Sequence, residues 1–123
     1  MTDPEEKRWR KKYPNFPGVQ KCVELLESPN VNGTWVDIIC LELQDHAAEC
    51  FSELVAAISA KENERIRILL LAALAEAGLP EAISILAENL HSPQESLRYW
   101  SEFGLEKIGT KEARAILWSY RQR

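Results

Sequence analysis

The chain has 123 residues, 46% of them hydrophobic and 28% charged, with five glycines and a formal net charge of −4. That is enough apolar material for one modest core and too much for a disordered chain, and no stretch reaches the 18 or more uncharged apolar residues of a membrane span. Residues 1–21 carry six basic and three acidic side chains, residues 22–110 five and fifteen, and residues 111–123 four and one, so an acidic body that repels phosphate backbones argues against a general nucleic-acid binder.

The chain opens with Asp3, Glu5 and Glu6, then Lys7, Arg8, Arg10, Lys11 and Lys12 around Trp9. Residues 1–14 read as a basic arm whose polarity predicts a solvated or partner-ordered segment. This opening has no apolar leader region, and a cytoplasmic location is the expectation. Val19, Cys22, Val23 and Leu26 then recur at helical spacing, predicting a capping helix over about 17–28, which Ser28-Pro29 and the Asn30–Gly33 stretch end.

Thr34 as N-cap with Asp37 at N3 predicts the next helix, with Val36, Ile39, Cys40 and Leu43 on its apolar face. A partner helix from about His46 to Ala60 would bury Phe51, Leu54, Val55 and Ile58. The second hairpin carries Ile66, Leu69, Leu70, Ala73, Leu74 and Ala77, then Gly78 in C′ position, Pro80, and a return face of Ala82, Ile83, Leu86 and Leu90. In the third, Ser92-Pro93-Gln94-Glu95 has the form of a capping box, and Leu97, Trp100, Ser101, Leu105 and Ile108 form the stripe. Gly109-Thr110 ends that helix and caps the last one, which buries Ala113, Ile116, Leu117 and Tyr120. About seven helices and no strand are expected.

The hairpins repeat. Glu64, Arg67, Leu74, Gly78, Glu81, Ala82 and Leu86 return 31 residues later as Glu95, Arg98, Leu105, Gly109, Glu112, Ala113 and Leu117. Ile66/Leu97, Ala77/Ile108 and Ile85/Ile116 fall in the same frame, and Leu43/Leu74 with Val55/Leu86 extend it backwards into a degenerate first repeat. A period of this size with glycine between two apolar-periodic segments predicts a stacked helix-hairpin solenoid, with repeats over about 34–61, 62–92 and 93–121 in a unit spanning 15–123.

The run from Leu74 through Gly78 and Leu86 to Leu90, with the Ile66-Arg67 and Leu97-Arg98 pairs, resembles the short bacterial HEAT-like repeat found in phycobilin lyase subunits and in many scaffold proteins. The resemblance covers residues 62–121 well and 34–61 weakly. Leu79 and Thr110 stand where that pattern usually has aspartate after the glycine. The resemblance implies an all-α, armadillo-like α-α superhelix, with first helices forming a convex layer and second helices a concave one.

In that register the concave row carries Glu53, Glu81, Ser84, Glu88 and Glu112, with Trp118 offset from its helix stripe. An acidic row of this kind steers a basic protein surface by raising its encounter rate. The expected function is therefore non-enzymatic protein binding, as an adaptor, scaffold or immunity-type inhibitor. The alternative is a chromophore lyase-like or chaperone-like subunit that positions a bilin on a client protein. The terminal repeat's uncovered side suggests homodimerisation or docking onto a larger assembly.

Catalytic and metal constellations are thin. Asp45, His46, Glu49 and Cys50 form the best site-like cluster, but the other histidine, His91, is two helices away and neither H-E-x-x-H nor paired C-x-x-C occurs. The odd set Cys22, Cys40 and Cys50 sits in apolar helical patterns and reads as reduced structural thiols. No catalytic residue, metal or cofactor is expected.

Overall fold

The 31-residue frame of the sequence is also a frame of the backbone. In the computed structural model, which describes residues 3–60 and 63–122, the helices are α1 (Pro4–Lys12), α2 (Val19–Glu27), α3 (Gly33–Asp45), α4 (Phe51–Ala60), α5 (Glu64–Ala77), α6 (Ile83–Asn89), α7 (Glu95–Ile108) and α8 (Lys111–Arg121). A 3₁₀ turn, Pro80–Ala82, leads into α6. α5 and α7 begin and end 31 residues apart, and each stops at a left-handed glycine, Gly78 with φ 66° and Gly109 with φ 65°. The expected boundary between first and second repeats, at residues 61 and 62, lies outside the described residues.

The described residues form eight α-helices rather than seven. The added one is α1, so the segment expected to be solvated is instead a helix with Asp3 accepting from the Glu5 N–H at its N-terminus. Its Trp9 is fully buried and meets Trp35 edge-on at 5.2 Å between ring centroids.

Helix starts also differ from expectation. Asn32, not Thr34, caps α3, its Oδ1 accepting from the Trp35 N–H at 2.8 Å; Asn63 does the same for α5 at 3.3 Å. Gln94 holds the third equivalent position without capping through its side chain. Ser92 Oγ accepts from the Gln94 N–H at 3.0 Å, making a turn ahead of α7 instead of a capping box, with α7 beginning at Glu95. Thr110 caps α8 as its sequence predicts, accepting from the Ala113 N–H at 3.2 Å.

The first hairpin turns differently because Ala47 stands where the later repeats have Gly78 and Gly109. An alanine pays for a left-handed backbone, and residues 46–50 instead wind through tight turns in which both the N–H and the thiol of Cys50 approach the His46 carbonyl at 3.1 Å. α4 consequently starts at Phe51 rather than His46.

α3, α5 and α7 pack side by side in chain order; α4 lies on α5, α6 and α8 lie on α7, and α2 closes over α3 and α4. The core occupies the same positions in each repeat: Ile39, Leu70 and Ser101 form one fully buried set, and Leu43, Leu74 and Leu105 another. Ser101 is tolerated in a leucine slot because its hydroxyl donates to the Leu97 carbonyl at 2.7 Å. Trp100 is half-buried and lies off the Leu97–Ser101–Leu105 stripe, contrary to its expected core place. Val36, Cys40, Phe51, Val55 and Leu69 are likewise half-buried.

The free edge of α7 is built differently from the corresponding edge of α5. Ala75, which α5 presses against Gly104 of α7, and Leu71 one turn before it are both fully buried. Their equivalents on α7 are Glu102 and Glu106, both paired with Arg121 of α8, Glu102 at 3.3 Å. The edge that is apolar and buried on α5 is thus polar and ion-paired on α7. Restoring the interior pattern with Glu102→Leu, Glu106→Ala and Arg121→Ala is expected to give concentration-dependent dimers in sedimentation velocity. A triple variant that sediments like the parent at every concentration would show that the edge does not limit association.

Candidate functional site

The six residues singled out from the sequence all reach solvent. Glu53 stands on α4, Glu81 in the 3₁₀ turn, Ser84 and Glu88 on α6, and Glu112 and Trp118 on α8. Trp118 keeps 66% of its surface exposed, so it does not cover the end of the stack.

They do not converge on one pocket. Glu88 lines a cavity of about 460 Å³ with Glu64, Arg67 and His91, between the end of α4, the start of α5 and the end of α6. Glu53 lines a separate cavity of about 310 Å³ against Val19 and Val23 of α2. Trp118 borders a third, of about 410 Å³, with Arg114, Leu117 and Arg121. Glu81, Ser84 and Glu112 line none of these three. What the structure provides is a set of exposed residues on α4, the 3₁₀ turn, α6 and α8, not an enclosed site.

The carboxylates divide into those with a cationic partner and those without. Glu5 pairs with Arg8, Glu24 with Lys21, Glu42 with Arg10, Glu76 with Lys107, and Glu102 and Glu106 with Arg121. Among the described residues, Glu53, Glu81, Glu88 and Glu112 make no ion pair, a property they share with Asp3, Glu6, Asp37, Asp45, Glu64 and Glu95.

The cluster around His46 has a structural occupation that sequence reasoning did not find. Arg10 of α1 donates to Glu42 at 2.8 Å, and the His46 ring lies 3.7 Å from Glu42 and 3.2 Å from Glu49. Phe16 stacks on the imidazole at 4.4 Å with only 8° between the planes. Asp45 is exposed, and Cys50 directs its thiol at the backbone. His91 lies instead against Tyr120, ring to ring at 6.0 Å. Among the described residues no three His, Cys, Asp or Glu side chains are grouped to hold a metal ion. The one signal in the sequence was Glu42 itself, a carboxylate flanked by Leu41 and Leu43 in an apolar helix.

The cysteines are held as thiols. Burial, then the nearby Glu42 carboxylate, pushes Cys22 up to about 12. Burial together with Asp37 raises Cys40, and burial together with Glu53 raises Cys50. In all three the thiol form is favoured over the thiolate.

Comparison with protein-family models, with curated proteins and with solved structures finds no match to this chain.

Proposed function

We propose that this chain is a non-enzymatic protein-binding module whose three helix hairpins stack as a HEAT-like α-α superhelix, and whose α4–α6–α8 row receives a basic surface of another protein. The observation that carries the reading is that Glu53, Glu81, Glu88 and Glu112, all exposed, make no ion pair within the described chain. A helix surface that needed only solvation could carry either sign of charge. Four exposed acids that make no ion pair among the described residues attract a cationic partner and, once it docks, offer pairing without first breaking an internal ion pair. The protonated cysteines and the spread of the polar groups over separate depressions support binding rather than catalysis.

The test is affinity capture from native extract at low and moderate salt, followed by calorimetry on the protein retained. A Glu81→Lys, Glu88→Lys double variant is expected to bind that protein at least tenfold more weakly, with most of the loss in the association rate. Equal affinity of parent and variant would remove the row as the binding surface.

A further inference from the structure

The first-helix row carries a feature of its own. Helix α5 is apolar almost all round, from Ile66 through Ala75, which is the composition of a helix covered on every side. Yet its outward positions, Leu69 and Ala72, reach solvent, and so do their equivalents on the flanking helices. In the 31-residue frame Leu41, Ala72 and Phe103 form one line across α3, α5 and α7, with Trp100 alongside. Leu41 is 56% exposed, and Tyr99 at the end of the face is 59% exposed. A cavity of about 270 Å³ opens between Leu41, Cys40, Ala72, Ala73 and Trp100, and Asp37 and Glu76 flank it. Asp37 has no cationic partner among the described residues.

We infer that this outer face is a docking groove for an amphipathic helix of another protein, with an apolar stripe and basic flanks. Spacing and charge select that occupant. Packed helices lie about 8–10 Å apart, so the line Leu41–Ala72–Phe103 presents one apolar contact per helix at that interval. A helix laid across the row advances about 10.5 Å every seven residues, so apolar residues at i and i+7 meet successive steps of the line. Ala72, small at the centre, leaves the depression into which a larger partner side chain fits, and the half-buried Trp100 walls it. Asp37 at the rim, which makes no ion pair among the described residues, favours lysine or arginine beside that stripe, whereas Glu76 on the other side is already paired with Lys107 at 3.3 Å. The face belongs to the row of first helices, so it is separate from the acidic α4–α6–α8 row and could be occupied together with it.

The probe is a tryptophan-free helical peptide of leucine and lysine in heptad pattern, with a leucine and glutamate peptide of the same pattern as control. Binding is followed by intrinsic fluorescence of the full chain, in which Trp100 lies at the groove. The leucine–lysine peptide is expected to bind, the leucine–glutamate peptide at least tenfold more weakly. Leu41→Gln and Phe103→Gln together, which leave net charge unchanged, are expected to weaken binding at least tenfold. The Glu81→Lys, Glu88→Lys variant is expected to change it less than threefold. Leu41 is largely exposed, so Leu41→Gln alone keeps the test decisive if the double variant folds poorly. Unchanged affinity in Leu41→Gln, equal affinity for the two peptides, or dimers of the parent chain that Leu41→Gln dissolves would each overturn the assignment, the last by giving the face to a second copy.

Discussion

Replacing Trp9 with alanine is expected to undock α1 and cost about 3–5 kcal/mol, which lowers the melting temperature of a chain this size by roughly 10 to 20 °C. The helix is nine residues long and strongly polar, too short to hold together alone in water. Its attachment is concentrated in one side chain: Trp9 is fully buried, 4.6 Å from Tyr13 and 5.2 Å from Trp35 between ring centroids. Two polar ties accompany it, Arg10 to Glu42 at 2.8 Å and the Asn32 side-chain amide donating to Glu5 at 3.2 Å. Neither can substitute for the ring, because Arg10 is more than half exposed and screened by solvent. Losing α1 also strips the 7%-exposed Glu42 of its guanidinium, leaving a buried carboxylate beside His46 alone. Amide exchange should become fast over residues 4–12 while α5 and α7 stay protected. An unchanged melting temperature with α1 still protected would show that the helix is held by something other than this tryptophan.

The contrast between α1 and the repeats shows what the sequence exposes to reading. The α5 and α7 hairpins were legible because their restraints are local and periodic: apolar residues at helical spacing, and glycines at the two positions that need positive φ. α1 was not legible as a packed element. One tryptophan among five basic residues has no period, and its partners Tyr13, Trp35 and Glu42 are brought together only by the fold. The turn at Ala47 was hidden for a related reason, since the frame marks where glycine should be but not what the chain does without it. At the candidate site, exposure of Glu53, Glu81, Glu88 and Glu112 followed from their offset from the buried stripes. Their distribution over separate depressions did not, because that depends on how far apart neighbouring helices sit. The outer apolar face was present in the sequence as surplus hydrophobic residues: periodicity assigned Leu69 and Trp100 to the core and left Leu41, Ala72 and Phe103 unassigned.

Helix spacing in the row rests heavily on one residue, and changing Gly104 to leucine is expected to destabilise the fold by about 3 kcal/mol or more. A Cβ built on Gly104 would lie 2.8 Å from Leu86 Cδ1, 3.0 Å from Ala75 Cβ and 3.1 Å from Ala75 Cα. The tip of Leu86 can turn aside, but the Ala75 contact is to the backbone of α5, so α7 has to lift away. For Gly104→Ala the strain is partly offset, because alanine favours the helix over glycine by about 1 kcal/mol, and a net loss of about 1–2 kcal/mol is expected. Denaturant melts of Gly104→Ala, Ala75→Gly and the double variant separate these contributions. If close approach is the cause, removing the opposing methyl recovers part of the loss, and the cycle gives a coupling well above additivity error. The same contact sets the distance between Ala72 and Phe103 on the outer face, so Gly104→Ala should also weaken the leucine–lysine peptide at that groove. A Gly104→Ala protein as stable as the parent, with peptide affinity intact, would mean that α5 and α7 separate freely and that their spacing is fixed from the core side, through Leu74, Leu86 and Leu105, instead.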